Sequence, residues 1–248
     1  MGYYPILMQM AGRRVLLVGG GHVADEKIGK LVEAGADVTV VAPRLIPQVQ
    51  RFIDEGQARL RHREYCRGDV QGFEVVMIAT DDGEVNRAVA AEARAAGIWV
   101  NAADDVTNCD FILPSLARRG TITIATSTGG ASPALARWLR ERMEEFLSNE
   151  VVALGDLLAE VRVLARDRDR DCAAGCELTR TPPPLLCKQC PNRIPADHWQ
   201  EAIAEVYPLL QAGDYAGARQ RMISTLRLDQ PLIRAPSTSA ATPERQTS

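Results

Sequence analysis

The stretch from Val15 to Lys27, VLLVGGGHVADEK, constrains this chain more than any other. A short apolar run leads straight into three glycines, and a helical pattern follows at once. This is how a strand–turn–helix unit that holds a dinucleotide pyrophosphate reads. Gly19 and Gly21 let the backbone turn tightly and approach phosphate closely. Ala24 is the small residue that lets the helix pack on the sheet, so the pattern is G-x-G-x-x-A. The helix N-terminus then points free N–H groups and a partial positive charge at the anion. Gly19, Gly20, Gly21, His22, Val23 and Ala24 are the expected cofactor contacts.

The rest of the N-terminal half alternates strand and helix patterns. Arg14–Val18, Asp37–Ala42, Arg59–Arg63, Val75–Ala79 and Trp99–Ala102 read as strands, and Val23–Ala34, Ile46–Glu55 and Glu84–Ala96 as helices. That alternation predicts an α/β fold with a Rossmann-type, doubly wound parallel sheet. After position 104 the character changes. Phe111–Leu113 and Thr121–Ala125 read as strands joined by a basic turn, Arg118-Arg119-Gly120. Ser132 and Pro133 open a helix. A second helix is expected over Glu150–Arg166, ending in the charge run Arg162–Asp171 as a solvated helix end or linker. Ala196–Leu210 and Asp214–Leu226 read as a helical pair. The last twenty residues are rich in Pro, Ser and Thr and are expected to be disordered.

Composition narrows the function. A net charge of −3 over 248 residues provides no basic field for nucleic acid. No apolar run approaches the roughly 20 residues that span a bilayer, and MGYYPILMQM has no signal-peptide pattern. Ile6 stands where myristoylation prefers Ser or Thr. The expectation is a cytoplasmic enzyme with no membrane partner, whose six cysteines are thiols or metal ligands rather than disulfides.

An NAD site usually carries Asp or Glu at the end of the second strand. Here that strand ends Val41-Ala42-Pro43-Arg44. Two readings follow: backbone groups near Pro43 hold the ribose, or Arg44 accepts a 2′-phosphate and favours NADP. Thr80, after the fourth strand, is a further cofactor contact, while Asp81 and Asp82 are open to a helix-capping role. His22 lines the cofactor loop. His62 and His198 read as structural or exposed.

Four cysteines fall in one short irregular segment, Cys172-x3-Cys176 and, ten residues on, Cys187-x2-Cys190. Four thiolates satisfy a tetrahedral metal. Zinc is the simplest occupant, and an iron–sulfur cluster also fits, with Pro191 after the last cysteine. The expected role is to staple a small helical extension.

Several of these residues resemble a known family. Gly19-Gly20-Gly21-x-Val23-Ala24-x-x-Lys27 is similar to the start of the siroheme synthase N-terminal module, the precorrin-2 dehydrogenase and sirohydrochlorin ferrochelatase family. Three further stretches match in order: Ala79-Thr80-Asp81-Asp82 with Asn86; Asn101-Ala102-Ala103-Asp104 before Phe111-Ile112-Leu113-Pro114-Ser115; and Gly129-Gly130-x-Ser132-Pro133-x-Leu135-Ala136-Arg137. Tyr4-Pro5-Ile6 resembles the family's entry strand. The resemblance covers roughly residues 1–165.

The resemblance implies a homodimer: a Rossmann domain over 1–113, a dimerisation region over 114–148 and a helical tail over 149–170. A Cys-rich helical extension over 171–228 and a tail over 229–248 would follow. It implies that NAD oxidises precorrin-2 to sirohydrochlorin on the route to siroheme, with ferrous iron insertion as a second activity in some members. It tips the cofactor reading toward NAD and places the catalytic aspartate at Asp104, which would act as general base. A polycarboxylate tetrapyrrole calls for cations and backbone donors, so Arg118, Arg119, Arg137, Arg140, Gly129 and Gly130 are substrate candidates. Thr128 stands where some relatives carry a phosphorylated serine before the glycine pair. Cys109, close in sequence to Asp104, is open between packing and an active-site role. The competing readings are a non-catalytic dinucleotide sensor or metal scaffold, and an NADP-dependent reductase for another substrate.

Overall fold

The computed structural model describes residues 2–103, 105–174 and 190–233. The chain forms two compact units: Met1–Ser115 with Thr126–Arg137, and Leu116–Ala125 with Trp138–Ser248.

The first unit is built on a five-stranded parallel sheet. Its strands are β1 (Arg14–Val18), β2 (Asp37–Val41), β3 (Ala58–Arg61), β4 (Val75–Ile78) and β5 (Trp99–Ala102), in the order β3-β2-β1-β4-β5. All four pairings are parallel. The central strands β1 and β4, and β2 beside them, are short apolar runs because both faces are covered. Val15 and Leu17 pack with Ile28 and Leu31 of α1 (His22–Glu33) and Val49 of α2 (Pro47–Asp54). Leu16 and Val18 pack on the other face with Val89, Ala90 and Ala93 of α3 (Gly83–Ala95). The order reverses between β1 and β4, and that switch point opens the crevice where α/β sheets bind ligands.

After β5 two expectations are corrected. Phe111–Leu113 is not a strand. The backbone there is held beside β5 instead: the Asp110 N–H donates to Val100 O at 2.8 Å, and Asn101 Nδ2 donates to Phe111 O at 2.9 Å. The hairpin is β6 (Ser115–Arg119) and β7 (Ile122–Thr126), so Arg118 and Arg119 lie in a strand rather than in the turn. Gly120 makes that turn at φ +56°, where an added Cβ would sit 2.8 Å from Val152 Cγ1.

Helix α4 (Pro133–Phe146) begins at Ser132, whose Oγ accepts from the Leu135 N–H at 3.2 Å. It buries none of its residues. In the second unit α5 (Asn149–Ala174) runs unbroken through the charged stretch expected to be its end or a linker. Its Leu157 and Val161 pack with Ala202, Val206 and Leu210 of α6 (Ala196–Gln211) and with Ala218 and Met222 of α7 (Tyr215–Thr225). Asp214 caps α7 through Gly217 N at 2.8 Å. Residues 229–233, expected within a disordered tail, are tied down: Asn192 exchanges two hydrogen bonds of 2.8 Å with the Ile233 backbone, and Arg168 donates to Gln230 O at 3.0 Å. The remainder of that tail lies outside the described residues. No helix among the described residues is long and apolar enough to cross a membrane.

Candidate functional site

The glycine loop joins β1 to α1 at the carboxyl end of the sheet. Gly19 holds φ +118°, and a Cβ there would lie 2.3 Å from the Ala79 carbonyl oxygen. Only glycine allows β1 and the end of β4 to come this close. Gly20 is pressed just as tightly on its other side, where an added Cβ would stand 2.3 Å from Arg44 O. The Ile46 N–H donates to Gly20 O at 2.9 Å, so the segment after β2 is clamped to the loop. Gly21 faces open space, with no heavy atom within 4 Å of an added Cβ. It is also the N-cap of α1, with no side chain capping the helix. The first N–H groups of α1 thus face an open surface at the positive end of the helix dipole, which suits a pyrophosphate.

The other sequence-expected cofactor residues gather around this loop. His22 is exposed at the first position of α1, Val23 is half-buried, and Ala24 is buried against the sheet. Pro43 and Arg44 are exposed directly after β2, and His62 Nε2 lies 3.0 Å from Pro43 O. No carboxylate follows the strand, so the segment offers only backbone groups and one guanidinium to a ribose. Thr80 follows β4, and its hydroxyl donates to Asn86 Oδ1 at 2.6 Å while Asn86 Nδ2 returns to Thr80 O at 3.1 Å. Asn86 is buried, and this exchange fixes the loop that forms the far wall of the crevice. Asp82 caps α3, accepting from Glu84 N at 2.8 Å and Val85 N at 3.1 Å.

Sequence reading gave no site role to the pair that links the glycine helix to β5. Lys27 Nζ donates to Asn101 Oδ1 at 2.9 Å. Asn101 is buried at the carboxyl end of β5, three positions before Asp104. A buried amide at a strand's carboxyl end, in a stretch already matched to the family motif, was the signal available. Asp104 itself lies outside the described residues. Its neighbour Asp105 is engaged locally, accepting from Thr107 Oγ1 at 2.5 Å and Asn108 Nδ2 at 2.7 Å. These bonds, Thr107 first, hold its carboxyl below the usual carboxylate range. Cys109 is a packing thiol: Sγ contacts Ala102 O at 3.1 Å and Asp105 O at 3.3 Å, and burial pushes its pKa up. A raised thiol pKa suits neither a nucleophile nor a metal ligand.

The substrate candidates fall in both units. Gly129 and Gly130 hold φ +64° and +87°, with open space at both, beside a turn closed by Ser132 N donating to Thr128 Oγ1 at 2.9 Å. Arg137 is exposed on α4. Arg118 is exposed on β6. Arg119 is committed to the helix junction, donating to Leu147 O at 2.5 Å and Asn149 Oδ1 at 2.6 Å. Arg140 pairs with Glu144 and Glu141 on its own helix. Both thus have partners within the second unit. Of the four clustered cysteines, Cys172 at the end of α5 and Cys190 come together, with sulfurs 3.4 Å apart. Cys176 and Cys187 lie outside the described residues. Among those described, no three His, Cys, Asp or Glu side chains form a metal-ligating group.

Comparison with known proteins agrees with this architecture. Residues 6–115 match the family described as "Putative NAD(P)-binding", and residues 119–145 match "Sirohaem biosynthesis protein central". Siroheme synthase of Methylococcus capsulatus is 43% identical over 166 residues, 67% of this chain and 35% of that protein. The siroheme synthase of Nitrosococcus oceani is 40% identical over 168 residues, 68% of this chain and 36% of that protein. The chain thus spans about a third of the length of these curated relatives. Among solved structures, "SirC, precorrin-2 dehydrogenase" superposes with a TM-score of 0.65 at 24% identity, covering 90% of this chain and 100% of its own. This is a likeness of fold. Its coverage reaches past residue 165, so the fold relationship takes in helices that the sequence resemblance left out.

Proposed function

Over residues 6–145 the chain belongs to the siroheme synthase N-terminal family, and on that premise we propose that it oxidises precorrin-2 to sirohydrochlorin with NAD. The observation that carries this is the open, uncapped N-terminus of α1 beside Gly21, at the switch point of the sheet. Bound NAD would supply the hydride acceptor. Gly19, Gly20, Gly21, His22, Val23 and Ala24 hold the pyrophosphate. Pro43, Arg44 and Thr80 border the ribose and the crevice wall. Lys27 and Asn101 brace β5 against α1, so that the segment running into Asp104 leaves the sheet from a fixed point. Asp104 takes a proton from the macrocycle as hydride leaves. Arg118, Arg137 and the Gly129-Gly130 turn receive substrate carboxylates.

The same proposal includes two further parts. The protein is a homodimer. Leu135, Trp138 and Phe146 recur on one face of α4 and are 46%, 52% and 61% exposed, an apolar stripe that a second copy would cover. Cys172, Cys176, Cys187 and Cys190 bind a metal, either zinc or an iron–sulfur cluster.

The test is anaerobic absorbance of the purified protein mixed with precorrin-2 and NAD. The expected result is the sirohydrochlorin spectrum, absent without NAD, and its loss in Asp104→Asn with NAD binding retained. Added ferrous iron then reads out chelation. A folded protein that binds NAD and leaves precorrin-2 unchanged would favour the sensor reading, and faster turnover with NADP would overturn the cofactor assignment.

A further inference from the structure

Pro43 and Arg44 leave β2 at its carboxyl end, and their backbone is locked to the glycine loop. A Cβ on Gly20 would stand 2.3 Å from Arg44 O, and the Ile46 N–H donates to Gly20 O at 2.9 Å. His62, directly after β3, holds the same segment through Pro43 O at 3.0 Å. Arg44 is thus rooted against the loop on its β2 side. In a dinucleotide the adenosine ribose is joined to the pyrophosphate by a single methylene. Sheets of this class accordingly meet that ribose with the residues at the end of the second strand.

Rejection of a 2′-phosphate ordinarily comes from an Asp or Glu at that strand end, which binds the 2′-hydroxyl and repels a second anion. Here the segment reads Ala42-Pro43-Arg44-Leu45-Ile46 and carries no carboxylate. Arg44 is exposed, and among the described residues its guanidinium enters no ion pair and no side-chain hydrogen bond. The neighbouring strand end adds Arg61, His62 and Arg63. The buried carboxylate beside them, Asp69, is already shared between Arg61 at 2.8 Å and Arg63 at 2.6 Å. Glu64 is exposed on the loop beyond. The edge therefore offers a dianion a cation not already paired, and sets no carboxylate directly after β2 against it.

We propose that this site admits the 2′-phosphate of NADP as well as the 2′-hydroxyl of NAD, and that Arg44 sets the balance between them. Its guanidinium donates charge-assisted hydrogen bonds to the phosphate, while backbone groups at Pro43 serve the hydroxyl. This rests on the reading of the glycine loop as a dinucleotide site, and it widens the cofactor choice without displacing NAD.

The test is fluorescence titration of the full chain with NADH and with NADPH, in the unaltered protein and in Arg44→Ala, Arg44→Asp and Arg44→Lys. In the unaltered protein the two dissociation constants should agree within about tenfold. The ratio of the NADPH constant to the NADH constant should rise about tenfold in Arg44→Ala and further in Arg44→Asp, which restores the carboxylate of an NAD-selective site. Arg44→Lys keeps the charge and should fall between the unaltered protein and Arg44→Ala. Added salt should weaken NADPH more than NADH. Because the ratio is taken within each variant, damage to the whole site cancels from it. An unaltered ratio well above tenfold, or one that Arg44→Ala and Arg44→Asp leave unchanged, would overturn the inference and leave the NAD site standing. A chain that is folded by circular dichroism and binds neither nucleotide would overturn the dinucleotide reading as well.

Discussion

Asp69 lies almost fully buried on the loop between β3 and β4, with Arg63 at 2.6 Å, Arg61 at 2.8 Å and the Cys66 N–H at 2.8 Å. The Arg63 hydrogen bond, chiefly, lowers its pKa to about 2. A folded-state pKa below the unfolded value stabilises the fold above about pH 4, and the gain is lost as pH falls toward 2. Asp69→Asn should therefore cost on the order of 2 kcal/mol at pH 7. The gap from the unaltered protein should close in acid, which urea titrations from pH 7 to pH 2 would read. Gly19→Ala should cost about 2 kcal/mol or more, because φ +118° and the Ala79 carbonyl both oppose a Cβ. Thermal shift with and without NAD would show lower stability and lost cofactor stabilisation. The two residues differ in how they announce themselves. Gly19 sits in a local motif that names its chemistry. Asp69 is one acidic residue in a polar loop, and its partners on β3 and beyond become neighbours only when the chain turns back on itself.

At the scale of elements, parallel strands and their helices were readable because each carries its own period and its own stop. Gly35 at φ +75° stops α1 just past its C-cap, Ala34. The failures have physical causes. Phe111–Leu113 is an apolar run like a strand, but the Asp110 and Asn101 side chains satisfy the backbone around it and take over the pairing of a neighbouring strand. Helix α5 passes through its charge run because the charges pair within it, as Arg170 does with Asp167, while Val161, Ala165 and Ala173 keep a narrow buried stripe. Small residues in that stripe hide its period. The three-helix packing it supports makes a sharp prediction. Met222 is fully buried among α5, α6 and α7, so Met222→Ala should cost about 2–5 kcal/mol. Chemical denaturation followed by helical circular dichroism would detect it. Ser132→Ala, by contrast, removes one cap and should cost about 1 kcal/mol.

For the whole molecule, the outstanding surface is the apolar stripe of α4, a helix that buries none of its residues among those described and that the proposed second copy would cover. Trp138→Glu should convert a dimer to a monomer in light scattering and leave the parallel sheet folded, while an unchanged mass would remove α4 from the interface. The uncapped start of α1 has a consequence of another kind. Four N–H groups left without partners make the helix weaker alone than with an anion in place. A cofactor present at a hundred times its dissociation constant adds about 2.7 kcal/mol to the folded state. Proteases act on whatever fraction is transiently open. The lifetime of this chain inside a cell should therefore track the supply of dinucleotide, so that starvation for the cofactor removes the protein as well as idling it.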